Sequence, residues 1–195
     1  KRLCDFAHRY RAKVFVALNP ILRDDELDEA RQMAWQAYES GADALIVADT
    51  AVMAYCRDHH PALRLHLSVQ ASATSYEAIE FYRERYAIQR AVLPRVLTMS
   101  QVGHVIRHTP VDIEVFGFGS LCVMVEGRCA LSAYVTGESP NCQGVCSPAK
   151  AVRWEPHANG MRTRLNGFLI DAFEGDEPAG YPTLCKGRFE VNDET

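Results

Sequence analysis

At 195 residues, 48% of them hydrophobic and 24% charged, the chain has the size and composition of one well-buried globular domain, neither disordered nor fibrous. Its apolar runs fall far short of the roughly 18 residues that cross a bilayer, and its charged start lacks the pattern of a secretory signal, so a cytoplasmic location is expected. A formal charge of -4 argues against a protein built to hold a nucleic-acid backbone, and neither half forms a basic arm.

Short β-branched runs alternate with helical patterns over the first 118 residues. Strands are expected at Lys13 to Leu18, Ala44 to Ala48, Arg64 to Val69, Gln89 to Leu93 and Val111 to Phe116. Their starts lie 31, 20, 25 and 22 residues apart, the spacing of βα units. The first intervening helix is capped by Asp24 or Asp25, carries Leu27, Ala30, Ala34, Ala37 and Tyr38 on one face, and stops at Gly41. The next well-marked one begins at Thr74 or Ser75 and carries Ile79, Tyr82 and Tyr86; Thr98 and Ser100 precede another. Repeated βα units imply a parallel sheet whose chemistry sits where strands end and helices begin. That rule selects Asn19, Asp49, Gln70 with Ser72, Pro94 with Arg95, and Phe116 to Ser120. Five strands are too few for an eight-stranded barrel, so residues 1–118 read as an incomplete TIM-barrel-like α/β sheet or an open one, and the chain as a fragment of a longer protein.

From Gly119 onward the texture changes. Gly, Ser, Pro, Cys and Asn dominate as far as Pro148, and Glu174 to Gly187 is again rich in turn formers. Such a stretch builds no large apolar core by itself, so residues 119–195 are expected to form a cysteine-rich segment, stapled by those cysteines and packed on the partial barrel. A small basic group, Lys150, Arg153, Arg162 and Arg164, has the charge to hold one anion, although such a scatter more often forms a solvated face.

Five of the seven cysteines lie in this second half. Without an export signal, disulfides are not the expected explanation. A Cys-x3-Cys-x2-Cys triad fails because position 149 is Ala, and the paired Cys-x2-Cys knuckles of a zinc ribbon are absent. A loose set remains, Cys122-x6-Cys129-x16-Cys146-x38-Cys185, with Cys142 as a spare. Four soft thiolates suit zinc or an iron–sulfur cluster, and spacing leaves that choice open. No His-Glu-x-x-His helix and no Gly-x-Ser-x-Gly elbow occurs.

Glu114-Val115-Phe116-Gly117-Phe118-Gly119-Ser120-Leu121-Cys122, followed by Gly127-Arg128-Cys129-Ala130-Leu131-Ser132, resembles the signature of the collagenase-like peptidases, a family of iron–sulfur proteins. Further segments, among them Ser68 to Ser72, Leu93 to Leu97, Thr136 to Asn141 and Gly180 to Arg188, resemble most the branch of that family that serves ubiquinone biosynthesis. The resemblance implies a 4Fe-4S cluster on Cys122, Cys129, Cys146 and Cys185. It further implies oxygen-independent hydroxylation of the aromatic ring of a prenylated ubiquinone precursor, in a heterodimer with a homologous UbiV-type subunit. Prephenate is the implied oxygen donor, and the substrate calls for an apolar pocket or a lipid-carrier protein. Other branches hydroxylate RNA bases or act as peptidases. The family's barrel normally has an earlier βα unit than Lys1 and a further segment after Thr195, so the implied barrel is incomplete at both ends.

Gln70, Arg95 and Glu114, at the ends of expected strands, are the candidates for substrate or donor contacts, Arg95 because a guanidinium pairs two-pronged with a carboxylate. Four thiolates on four irons leave no open iron, which favours electron transfer or structural support over Lewis-acid chemistry. The alternatives are an RNA-base hydroxylation factor, a peptidase of the same family, and a metal-stabilised binding scaffold. The charge balance disfavours nucleic acid, and no nucleophile–base pair marks a peptidase.

Overall fold

A computed structural model describes residues 1–118, 122 and 124–175. The chain divides into two compact units, Lys1–Gly119 with Val125–Gly127, and Ser120–Met124 with Arg128–Thr195. The three-residue piece Val125–Gly127 thus belongs to the first unit although its sequence neighbours belong to the second.

In the first unit, helix α1 (Arg2–Arg9) precedes five strands, β1 (Phe15–Leu18), β2 (Ala44–Val47), β3 (Leu65–Leu67), β4 (Arg90–Val92) and β5 (Asp112–Glu114). All four pairings are parallel and the order across the sheet is β1-β2-β3-β4-β5. An order that never reverses has no switch point, which sets it apart from a doubly wound sheet, and right-handed crossovers then put every helix on one side. Helices α2 (Leu27–Glu39), α3 (Thr50–His59), α4 (Tyr76–Tyr86) and α5 (Met99–His108) follow β1 to β4 in turn.

Strand alternation explains what each face carries. Leu18, Leu45, Val47, Leu65, Leu67 and Ala91 are buried in one core with Ala30, Ala34, Val52, Met53, Ile79, Val102 and Val105 of the helices. The opposite face carries Phe15, His66 and Arg90: the Phe15 and His66 rings meet edge-on at 4.9 Å, and the Arg90 guanidinium lies 6.0 Å from the Phe15 ring. Two helices start where the sequence places their caps: Ser75 accepts from the amide of Ala78, and Thr98 with Gln101 forms a reciprocal capping box. Asp24 and Asp25, expected as the cap of the first intervening helix, instead lie in a 3-10 turn, and α2 begins at Leu27 without a side-chain cap. Asp49, selected as a strand-end residue, caps α3 by accepting from the amides of Ala51 and Val52. Each strand is one to three residues shorter than the sequence suggests, β1 losing its first two residues and β2 its last.

The second unit holds more regular structure than its composition suggests. Helix α6 (Ala130–Thr136) is followed by an antiparallel sheet of β6 (Val152–His157), β7 (Gly160–Leu165) and β8 (Phe168–Glu174). Val135, Val152 and Leu165 form a small core, with Ala151 and Ile170 against it. The β7–β8 turn is Asn166-Gly167, both residues at positive φ, the arrangement that suits a two-residue hairpin. Among the described residues no helix is long and apolar enough to cross a membrane.

Candidate functional site

The ends of β3, β4 and β5 are built by local polar contacts. After β3 the buried Ser68 accepts from the Gln70 amide at 3.2 Å and from the Asn19 side chain at 2.9 Å. This caps a 3-10 turn, Val69–Ala71, which ends at Ser72 in a left-handed conformation. Ser72 Oγ then donates to the Glu126 carbonyl at 3.1 Å.

Gly127 lies so close that a Cβ there would stand 2.3 Å from the Gln70 carbonyl oxygen. Only glycine permits that approach, and its φ of +74° is also one that an L side chain rarely adopts.

After β4, Arg95 meets the same loop. Its amide donates to Glu126 Oε1 at 3.0 Å, and its Nε lies 3.0 Å from that oxygen as an ion pair. The guanidinium stands 4.6 Å from the centroid of the Phe116 ring, within cation–π range. Glu126 is only 5% exposed, whereas Phe116 is 53% exposed. Gln70, Ser72, Arg95 and Phe116 thus converge on one buried carboxylate and its loop.

Of the residues selected from the sequence, Gln70 and Arg95 are tied to this loop. Glu114 is not part of that network: it pairs with Arg90 at 3.4 Å, beside the Arg90–Asp112 pair at 3.6 Å. Asn19 and Asp49 serve as a turn anchor and a helix cap. Glu126 escaped the sequence reading because its partner Arg95 is 31 residues away and nothing in Val-Glu-Gly marks a buried acid.

Burial pushes the pKa of His66 down, and the nearby Arg90 and Arg64 charges add to that shift. Burial also drives the pKa of the Cys56 thiol up to about 11, so it behaves as a small buried hydrophobe.

The thiols implied as cluster ligands lie in the second unit. Cys122 and Cys129 are half-buried, and Cys142 and Cys146 are exposed; Cys185 lies outside the described residues. The Cys129 amide donates to Asn141 Oδ1 at 2.8 Å. The buried Ser132 hydroxyl is 2.7 Å from the Cys146 carbonyl and 2.9 Å from that of Glu138. Asn141 and Ser132 therefore pin the backbone beside two of the thiols. Among the described residues no group of three or more His, Cys, Asp or Glu side chains gathers as the ligands of a single ion would. Soft thiolates of this kind suit either zinc or an iron–sulfur cluster. The basic group found in sequence sits on β6, β7 and the 3-10 turn before them, where Arg164 pairs with Glu155, Lys150 pairs with Glu138, and Arg162 meets the His157 ring. Lys150 and Arg164 are thus matched by acids, while Arg153 donates to the Lys150 and Val152 carbonyls.

Comparison with known proteins supplies the family. The model of peptidase family U32 matches residues 1–172. The chain belongs to that family. It is 37% identical over 186 residues to the 23S rRNA 5-hydroxycytidine C2501 synthase of Escherichia coli, covering 87% of this chain and 28% of the relative. A tRNA hydroxylation protein of the same organism is 33% identical over 169 residues, 86% of this chain and 36% of the relative. A collagenase of Porphyromonas gingivalis is 32% identical over 147 residues, 69% of this chain and 34% of the relative. The chain spans about a third of the length of these curated relatives. The family-level resemblance to collagenase-like peptidases holds, and relatives within the family are hydroxylation proteins.

Proposed function

We propose that this U32 chain is the ring-binding and thiol-bearing part of a protein that hydroxylates a base in RNA without molecular oxygen. The observation that carries this is the 37% identity, over 87% of the chain, to an rRNA 5-hydroxycytidine synthase. The geometry supports it, because an exposed Phe116 with the Arg95 guanidinium against it is the kind of planar surface on which an unstacked base rests. The charge of -4 weighs less than the sequence alone suggested, since it belongs to a segment about a third as long as its relatives.

In this reading Cys122, Cys129, Cys146 and Cys185 hold a 4Fe-4S cluster, with Asn141 and Ser132 fixing the backbone next to Cys129 and Cys146. When bound, the cluster supplies one-electron transfer. Phe116 presents the stacking surface, Arg95 orients an acceptor or anionic group of the ligand, and Gln70 borders the loop that holds Arg95.

A second reading keeps the same chemistry on a different ring: a UbiU-type subunit that, with a UbiV-type partner and prephenate as donor, hydroxylates a prenylated quinone precursor. The segments Leu93 to Leu97 and Thr136 to Asn141 favour it.

One experiment separates the two. The full-length gene is deleted in its host, cells are grown without oxygen, and both RNA nucleosides and quinones are profiled by mass spectrometry. Loss of one hydroxylated pyrimidine with quinones intact is the expected result. Loss of ubiquinone alone selects the second reading, and no change in either pool removes the hydroxylation reading. Anaerobically purified protein should carry about four irons and four sulfides; one zinc and no sulfide would refute the cluster.

A further inference from the structure

We infer that Glu126 is a positioning residue that holds Arg95 as a receptor for an oxyanion, a phosphodiester of RNA or a free carboxylate; this rests on the ligand-orienting role proposed above for Arg95. Three observations in the first unit lead to it.

First, the Arg95–Glu126 contact is unsaturated on both sides. Glu126 uses only Oε1, and its Oε2 is buried with no hydrogen-bond partner among the described residues. Arg95 Nε sits 3.0 Å from the carboxylate but makes no aligned hydrogen bond, and its outer nitrogens have no partner among those residues. A half-buried arginine paired with a buried carboxylate only to serve the fold places its N–H groups on acceptors. Here the two-pronged outer edge is left open to a ligand, and that edge matches the geometry of a carboxylate or phosphate.

Second, the contact is a weak device for stability. Burying a carboxylate with one orphaned oxygen costs stability that a neutral isostere avoids. It is a strong device for alignment. The carboxylate on one side and the Phe116 ring on the other confine the guanidinium.

Third, the carboxylate itself is fixed. Ser72 holds the Glu126 carbonyl and Gly127 packs on Gln70, so Glu126 is tied to the end of β3 while it holds the residue after β4.

The test turns on sign. If Glu126 only compensates charge, Glu126→Gln removes a negative charge beside the receptor and must tighten anion binding. If it positions Arg95, the same change weakens binding despite that gain.

The full-length protein is titrated by fluorescence anisotropy with a labelled single-stranded oligocytidylate, and by calorimetry with benzoate, at fixed salt. Glu126→Gln should weaken the receptive probe about threefold to tenfold, and Arg95→Lys, which keeps the charge but not the fork, about tenfold. The double variant should be no weaker than Arg95→Lys alone, because the two residues act as one unit. Gln keeps the acceptor for the Arg95 amide, so the variant folds, and its thermal midpoint confirms this.

Tightening by Glu126→Gln, or losses that multiply in the double variant, would overturn the inference. So would binding of both probes that neither substitution alters. The coupled pattern with benzoate and no binding of RNA would uphold the positioning role and sink the RNA reading. The reverse pattern, coupled for RNA and silent for benzoate, upholds both. Normal RNA hydroxylation with uncoupled binding would leave the functional reading standing and remove Glu126 from it.

Discussion

Substituting Gly127 tests the loop lock directly. Gly127→Ala carries two costs that the structure separates. At a φ of +74° an L residue is disfavoured by roughly 1–2 kcal/mol. The new Cβ would also lie 2.3 Å from the Gln70 carbonyl, so backbone must give by about 1 Å, and overpacking of that kind costs roughly 1–3 kcal/mol. The expected total is about 2–5 kcal/mol. Gly41 is the internal control, because its φ is +79° but an added Cβ meets nothing within 4 Å; Gly41→Ala should cost only about 1–2 kcal/mol. Native-state hydrogen exchange reads the difference at the Arg95 amide, which donates to Glu126. A local loss of 2 kcal/mol speeds its exchange roughly 30-fold. If Gly127→Ala destabilised no more than Gly41→Ala and left the Arg95 amide equally protected, the proposed lock would be refuted.

Three other outcomes follow from single sites. Asp49→Ala removes the acceptor for two amides at the start of α3 and should lower stability by about 1 kcal/mol, read from the urea midpoint. His66 has a folded pKa below its ordinary value of 6.5. On acidification the unfolded chain therefore takes up a proton first, and stability should fall as pH drops below about 6.5 until the folded pKa is reached. His66→Gln should flatten that fall in urea titrations at pH 7.5 and 5.5, and an unchanged slope would show that another group causes it. With iodoacetamide at pH 8, the exposed Cys142 should be alkylated while Cys56, buried and with a pKa near 11, stays unmodified, as mass spectrometry of the tryptic peptides would show.

What the sequence disclosed follows the range of the forces involved. The five parallel strands and three of their helices were legible because each is set by periodicity within about ten residues: Ala30, Ala34 and Ala37 make one helical face, and Ser75 and Thr98 cap helices from the adjacent turn. The helix α3 was not read, and Asp49, taken as a strand-end candidate, proved to be its cap. The strands' one-directional order was not legible, since it depends on which strand each crossover meets. The β6–β8 sheet was missed because Pro156, Gly160 and the Asn166-Gly167 turn give its stretch a loop-like composition. The Asn-Gly pair was itself a hairpin signal, and its reading depended on noticing the alternation of Thr163 and Leu165 with Arg162 and Arg164. In the site, Gln70 and Arg95 were legible as residues just past strands. Glu114 was selected by the same rule, yet it pairs with Arg90 across the β4–β5 ladder, because a residue within the ladder finds its neighbour there before anything beyond the strand end. Glu126 was invisible for the complementary reason: its role exists only once the chain folds back onto the sheet.

Arg90 and Arg95 offer a closing contrast, since they lie five residues apart and differ in what is left open. Arg90 faces Asp112 and Glu114 at 3.6 and 3.4 Å and has Phe15 nearby; its charge is met from two sides. Both carboxylates are about half exposed, so each pair contributes at most about 1 kcal/mol. Arg90→Met strands two acids side by side and should lower stability by about 1 kcal/mol, while oligocytidylate binding changes less than about twofold at physiological salt, where screening falls within roughly 8 Å. Arg95→Lys should do the opposite. It keeps a cation beside the buried Glu126, so stability shifts by no more than about 0.5 kcal/mol, but the two-pronged edge is lost and binding weakens. If Arg90→Met proved the variant that abolished binding, the receptor would lie on the face shared by Phe15 and His66 rather than at the strand ends, and the assignment of Arg95 would have to be given up.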